Sequence, residues 1–394
     1  MKLAVLGFGN AGGKVTDALL EYEYDANRSL CASVLAVNSA KLDLERLESV
    51  PRESRLLIGQ TDPTVKGRGV GADPDKGAEI TRQDRAEIER ALDRMDLHRV
   101  DAFLVVAGLG GGTGSGGAPE IAGFLAEEFQ EPVYGLGVLP SDDEGGRASL
   151  NASRSFPSFA RATDNLLLFD NDTWLRGGET VESGFARTNR EIARRIVTLL
   201  AAGEVDSETL SEAAMDASDV RRTLATGGVS SIAYAETGLS DETRRQRGLL
   251  ARFRRDGDGE SREAVDTATK VHDLVRKAVR SRLTCPATVD STERALIVVS
   301  GPPQELSEKG LRRARQWVEE TTDTVEVLAG DDPRPKSSEL RAVVLLSNLT
   351  DVPRVDRLQE RGVAAKEHIE DQADGRESDI ESLLTDADGD LDPV

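Results

Sequence analysis

Histidine and cysteine are scarce in this 394-residue chain, and each scarcity removes a class of function. The three histidines, His98, His272 and His368, are scattered through charged helical contexts, which argues against a metal cluster, and no metal ligand is assigned. The two cysteines, Cys31 and Cys285, lie far apart inside apolar patterns. They read as small buried hydrophobes, not as a disulfide framework or a zinc site. No apolar run reaches the roughly 18 residues of a spanning helix, so no membrane insertion is expected. The first residues lack the basic and long apolar regions of a signal peptide, and the expectation is a soluble cytoplasmic protein. Lysine is sparse too, at 10 residues against 40 arginines. With 71 acidic against 50 basic residues the formal charge is −21, which opposes binding to nucleic acid or anionic lipid. An acidic surface with lysine suppressed reads as adaptation to high salt, where screening tolerates self-repulsion. The plainer alternative is an acidic protein from a GC-rich genome.

What the chain does have is glycine, placed at the ends of apolar runs. Phe103 to Ala107 leads into Gly110-Gly111-Gly112-Thr113-Gly114-Ser115-Gly116 and then into a helical pattern. Such a turn exposes backbone N–H groups without side chains in the way, and the helix N-terminus adds roughly half a positive charge, so a di- or triphosphate can sit there. A P-loop would need a lysine, and none occurs from Asp101 through Ala201. Near the start, the strand Lys2 to Leu6 runs into Gly7, Gly9 and Gly12, which satisfy the dinucleotide pattern G-x-G-x-x-G, followed by a helix from about Lys14 to Glu23. An NAD site also wants an acidic residue after the second strand, but Ser33 to Val37 ends in Asn38-Ser39, which disfavours an NAD-dependent oxidoreductase. A third glycine-rich loop, Gly67 to Pro74, precedes a charged, largely solvated helix from about Asp75 to Met95. Strands alternating with helices imply a doubly wound parallel sheet whose ligand sits at the carboxyl ends of the strands.

The string from Gly110 to Pro119, with Val133 to Pro140 and Asp170-Asn171-Asp172 downstream, resembles the tubulin/FtsZ superfamily, and its archaeal CetZ group most of all, over roughly residues 1 to 350. The resemblance implies an α/β GTPase domain at 1–183, a central helix and catalytic loop at 184–220, and a smaller α+β activation domain at 221–352. Residues 353–394 read by composition as a disordered acidic tail. The implied ligands are GTP or GDP with Mg²⁺. The implied contacts are Gly9, Asn10, Ala11 and Gly12 in the first loop, Asn38 after the second strand, Gly71 and Ala72 at the terminal phosphate, and Gly110, Gly111, Gly112, Thr113, Gly114 and Ser115 around the phosphates. Glu144 would accept from the ribose. Asn171 would read the guanine edge, helped by Phe185 and Asn189, which fall on one face of a helix from about Gly184 to Ala202. Arg147 stands one residue early for the family's arginine, Ala148 occupying that place, and reads as solvent-facing. Asp216 and Asp219 match the carboxylates that act on the neighbouring subunit's γ-phosphate, while Ala214 replaces an asparagine. Read locally, either aspartate would also be a good helix cap.

The function implied is a head-to-tail polymerising cytoskeletal GTPase governing cell shape, its partner being itself. A family member that binds nucleotide without polymerising is the alternative. Residues 239–262 read as a mobile charged insertion. Ile380, Leu383 and Leu384 would suit one turn of a short partner-binding helix, against the plainer reading of a solvated tail.

Overall fold

The computed structural model describes residues 1–175, 178, 181–202, 215–239 and 257–385. Each apolar run that the sequence ends in a glycine turn is a strand. β1 (Leu3–Phe8) passes directly into α1 (Gly9–Asp25), so Gly7 belongs to the strand and Gly9 and Gly12 to the opening turn of the helix, with no loop between. β2 (Cys31–Asn38), α2 (Lys41–Glu45) and the short β3 (Arg55–Leu57) follow. The expected helix from Asp75 to Met95 is two helices, α3 (Pro74–Gln83) and α4 (Arg85–Leu92). They part at Asp84, whose carboxylate accepts from the Gly59 N–H at 2.5 Å instead of facing solvent. Ile80, Ile88 and Leu92 are buried, so this segment is less solvated than its charges suggested.

β4 (Ala102–Gly108), α5 (Thr113–Glu128), β5 (Val133–Leu139), α6 (Gly146–Ala162), β6 (Asn165–Asp170) and the single turn α7 (Asn171–Trp174) complete the first half. α8 (Val181–Leu200) starts three residues before the sequence reading placed it, and Ile192, Ile196, Leu199 and Leu200 are buried as its periodicity required. α9 (Ala217–Leu224) and β7 (Val229–Gly238) open the second half. α10 (Gly257–Arg280), β8 (Arg294–Gly301), α11 (Glu308–Thr322), β9 (Val327–Pro333) and β10 (Glu339–Ser347) complete it. β9 begins where the sequence had a strand ending. Ala214 and residues 240–256 of the insertion lie outside the described residues.

The strands form one ten-stranded sheet in the order β3-β2-β1-β4-β5-β6-β7-β10-β8-β9. From β3 to β6 all neighbours are parallel. β10 is antiparallel to both β7 and β8, and β9 returns parallel to β8. β6 meets β7 through two residue pairs alone, Leu166 with Val229 and Leu167 with Ser230. Alternate side chains of β1 serve opposite faces, Ala4, Leu6 and Phe8 entering one core and Leu3 and Val5 the other. A sheet so covered is the doubly wound architecture expected. Cys285 is buried, but Cys31, against expectation, is only half-buried at the outer end of β2.

The C-terminal segment departs from its composition. Instead of a disordered tail from residue 353, α12 (Pro353–Thr385) forms, and its first turns pack on α6 with Arg354, Val355 and Leu358 buried. The reason lies in distant partners: the arginines of α12 pair with aspartates near residues 142 and 170, which composition cannot register. Residues 386–394 lie outside the described residues. Among the described residues, no helix is long and apolar enough to cross a membrane.

Candidate functional site

The strand order reverses between β1 and β4, and ligands of doubly wound sheets bind in the crevice outside such a point. A cleft of about 430 Å³ lies there, within the usual range for a small-molecule site. Its floor is two glycine turns in contact. Gly9 takes a φ of +72°, and a Cβ on it would come within 2.8 Å of the Gly114 nitrogen, so only glycine lets the starts of α1 and α5 touch. Gly112 is as tightly placed, 2.7 Å from the Asp73 nitrogen by the same measure, which brings the third glycine loop against the signature loop.

The amide N–H groups from Gly110 to Ser115 find no acceptor among the described residues. They are the orphan donors of a helix N-terminus, with the positive end of the dipole behind them, and together they suit an oxyanion. Gly9, Asn10, Ala11, Gly71, Ala72, Gly110, Gly111, Gly112, Thr113 and Gly114 all line the cleft. Gly12 and Ser115 do not. Gly12 packs beneath, against the Val106 carbonyl, while the Ser115 hydroxyl donates to the carbonyls of Leu109 and Gly111, both at 2.6 Å. Ser115 therefore shapes the loop with its side chain. Thr113 is likewise tied, its hydroxyl 2.6 Å from that of Ser39.

Glu144, Asn171, Phe185 and Asn189, from three separate elements, also line the cleft. Glu144 Oε1 accepts from the Ser141 N–H at 2.9 Å and from Asn171 Nδ2 at 3.1 Å, which fixes both side chains. Asn38 lines the cleft, but its amide holds its own turn, donating to Asp43 and accepting from Ala40. Arg147 is exposed and does not line it, as the sequence reading expected.

Asp216 and Asp219 are elsewhere, past the far end of α8, where the Met215 N–H donates to the carbonyl of Asp331 on β9. They form a capping box at the start of α9. Asp216 accepts from the Ser218 and Asp219 amides at 2.7 and 3.1 Å, and Asp219 accepts from the Asp216 amide at 3.2 Å. The hydrogen bonds from Ser218, then the Asp219 amide, hold the Asp216 carboxyl below its ordinary value.

Three cleft features escaped the sequence reading. Lys14 and Arg68 line the cleft, and neither has an ion-pair partner among the described residues, although the chain carries a net charge of −21. Their sequence signal was a basic residue beside a glycine turn. Asn151 on α6 donates from Nδ2 to the carbonyls of Ala72 and Gly110 at 2.9 and 3.0 Å, lacing two loops, and nothing local in the sequence announces it.

Among the described residues no three His, Cys, Asp or Glu side chains could hold a metal ion together. Asp43 and Glu144 are the carboxylates lining the cleft. An Mg²⁺ carried largely by phosphate oxygens and water fits such a lining, because that ion keeps its waters and needs few protein ligands.

A family model described as the tubulin/FtsZ family GTPase domain matches residues 2–178. Another, the C-terminal domain of tubulin-like CetZ, matches residues 178–364. Tubulin-like protein CetZ1 of Haloferax volcanii is 48% identical over 375 residues, covering 94% of each chain. The GDP-bound CetZ1 monomer from Haloferax volcanii superposes with a TM-score of 0.80 at 45% identity, covering 93% of this chain and all (100%) of that one. The GTPγS-bound protofilament of CetZ2 from the same organism gives 0.81 at 36% identity, covering 94% and 100%.

Proposed function

The chain belongs to the tubulin/FtsZ family, in its CetZ group, and from that premise we propose that the cleft between β1 and β4 binds GTP whose hydrolysis is completed by Asp216 and Asp219 of the next subunit in a head-to-tail filament. One observation carries the reading: the acidic pair is held in a capping box outside the cleft of its own chain. α8 gives Phe185 and Asn189 to the cleft, and its remaining 11 residues run about 16 Å further, at 1.5 Å per residue, before the segment that leads to the pair. A heterologous contact that brings the pair to a neighbour's phosphates does not close on itself, so it builds a filament.

In this reading the amides of Gly110 to Ser115 hold the phosphates, and Lys14 and Arg68 offset their charge at the mouth. Asn171 and Asn189 read the guanine edge, Phe185 stacks on the base, and Glu144 takes the ribose. Mg²⁺, taken up with the nucleotide in a cleft whose carboxylates are Asp43 and Glu144, would draw off negative charge from the phosphates. Asp216 and Asp219 orient the attacking water, and catalysis is mostly positioning plus electrostatics. The cellular role that fits is a cytoplasmic filament governing cell shape, with the end of α12 as a candidate docking segment for a protein partner.

Asp216→Asn separates catalysis from structure, since asparagine caps a helix as well as aspartate but carries no charge. The variant should lose only the part of its thermal stability that the carboxylate charge contributes, keep GTP binding and still assemble, while hydrolysis per chain falls at least tenfold, read by phosphate release. The wild-type rate per chain should rise with protein concentration. A concentration-independent rate, or full activity in Asp216→Asn, contradicts the shared site.

A further inference from the structure

Three arginines on one face of α12, at positions 354, 357 and 361, each meet an aspartate beside Glu144 or Asn171: Asp170 at the end of β6, Asp172 in α7 and Asp142 two residues before Glu144. Arg354 Nε lies 2.7 Å from Asp170 Oδ1 and its Nη2 donates to the Pro140 carbonyl at 2.7 Å, in a pair of side chains with 1% and 0% exposure. Arg357 reaches Asp172 at 3.1 Å. Arg361 pairs with the Asp142 carboxylate and donates to its carbonyl at 2.9 Å.

The aspartates are tied to the nucleotide end of the cleft in turn. Asp170 Oδ2 accepts from the Thr173 amide and hydroxyl, capping the turn whose first residue is Asn171. Asp172 accepts from the Asp142 N–H at 3.0 Å, joining the two loops. Glu144 then accepts from Asn171 across them. The helix itself is seated on α6 at Gly362, where a Cβ would fall 2.6 Å from that of Ser153.

We propose that Arg354, Arg357 and Arg361 are positioning residues for nucleotide recognition: the start of α12 is a strap that sets the spacing between Asn171 and Glu144. Strap docking and nucleotide binding then share one network, so each strengthens the other by the same factor. The inference rests on the cleft being the nucleotide site.

The test measures GDP and ADP affinity of the full chain, with amide deuterium exchange on the wild type with and without GDP. GDP should slow exchange across residues 353–362, not only in the glycine loops. Arg361→Gln should weaken GDP binding by roughly 2- to 30-fold, the range of residues that act through others, and narrow the preference for GDP over ADP. Arg361→Lys should recover most of both. Gly362→Val changes no charge but crowds Ser153, and should have the same effect through packing. A purely structural strap would lower the melting temperature and leave the GDP-to-ADP ratio unmoved. Folded variants with unchanged affinities and ratio, or a wild type whose residues 353–362 gain no protection, overturn the proposal while leaving the cleft assignment standing. A wild type that takes up no GDP overturns both.

Discussion

Arg68 and Lys14 bring the only evident positive side-chain charge that the described lining of the cleft offers a phosphate. A charge-assisted hydrogen bond is worth about 1.5–3 kcal/mol, so Arg68→Ala should weaken GTP binding by roughly tenfold or more. If Arg68 meets the terminal phosphate, GDP should suffer less, and equal losses for the two nucleotides would place it elsewhere. Asp216 gives a pH prediction. Its carboxyl is held below the unfolded value of about 3.9, so the cap it forms contributes stability above that pH and loses it as pH falls through the lowered value. Asp216 should therefore stay ionised through mild acid, followed by its carboxyl carbon shift, and an ordinary or raised value would show that the capping box does not form. What was legible at this scale was chemistry done by neighbours in sequence. Glycines that free their own amides, and an aspartate that caps the helix it precedes, declare themselves locally. Asn151, which laces loops around residues 72 and 110, and Arg354, whose partner is residue 170, act across the fold and leave no local pattern.

Among the elements, α3 and α5 make the closest contact that the cleft depends on. A Cβ at Gly116 would sit 2.0 Å from the Pro74 carbonyl oxygen and one at Gly77 would sit 2.3 Å from that of Gly112. Both obstacles are backbone, which cannot rotate aside. Gly116→Ala should force the helices apart, costing about 1–3 kcal/mol in a urea melt as overpacking does, and should also raise the Kd for GTP because Gly112 and Asp73 move with them. Stability lost with an unchanged Kd would show that the loops hold their shape without this contact. Most elements were readable from the sequence because a buried parallel strand is an apolar run and α8 keeps its apolar spacing. The break at Asp84 and the docked start of α12 at 353–362 were not, since each depends on a partner far along the chain.

At the scale of the molecule, the chain is a cytoskeletal GTPase of the tubulin/FtsZ family with a surplus of negative charge. Self-repulsion among those charges is screened over about 3 Å at 1 M salt and over about 10 Å at 0.1 M. Raising KCl from about 0.1 M to about 1 M or more should therefore raise the melting temperature and promote assembly, followed by calorimetry and sedimentation. A melting temperature that does not respond would mean that the acidic composition has another origin. The sheet adds a property that belongs to the polymer. Its parallel and mixed halves are stitched by Leu166–Val229 and Leu167–Ser230 and by no longer run of pairing between β6 and β7. Where pairing is that short, a small rotation of one half of the sheet against the other strains few backbone bonds. In a filament strung from these subunits, rotation at that short pairing would let each subunit store a little curvature, and many in series would turn it into bending.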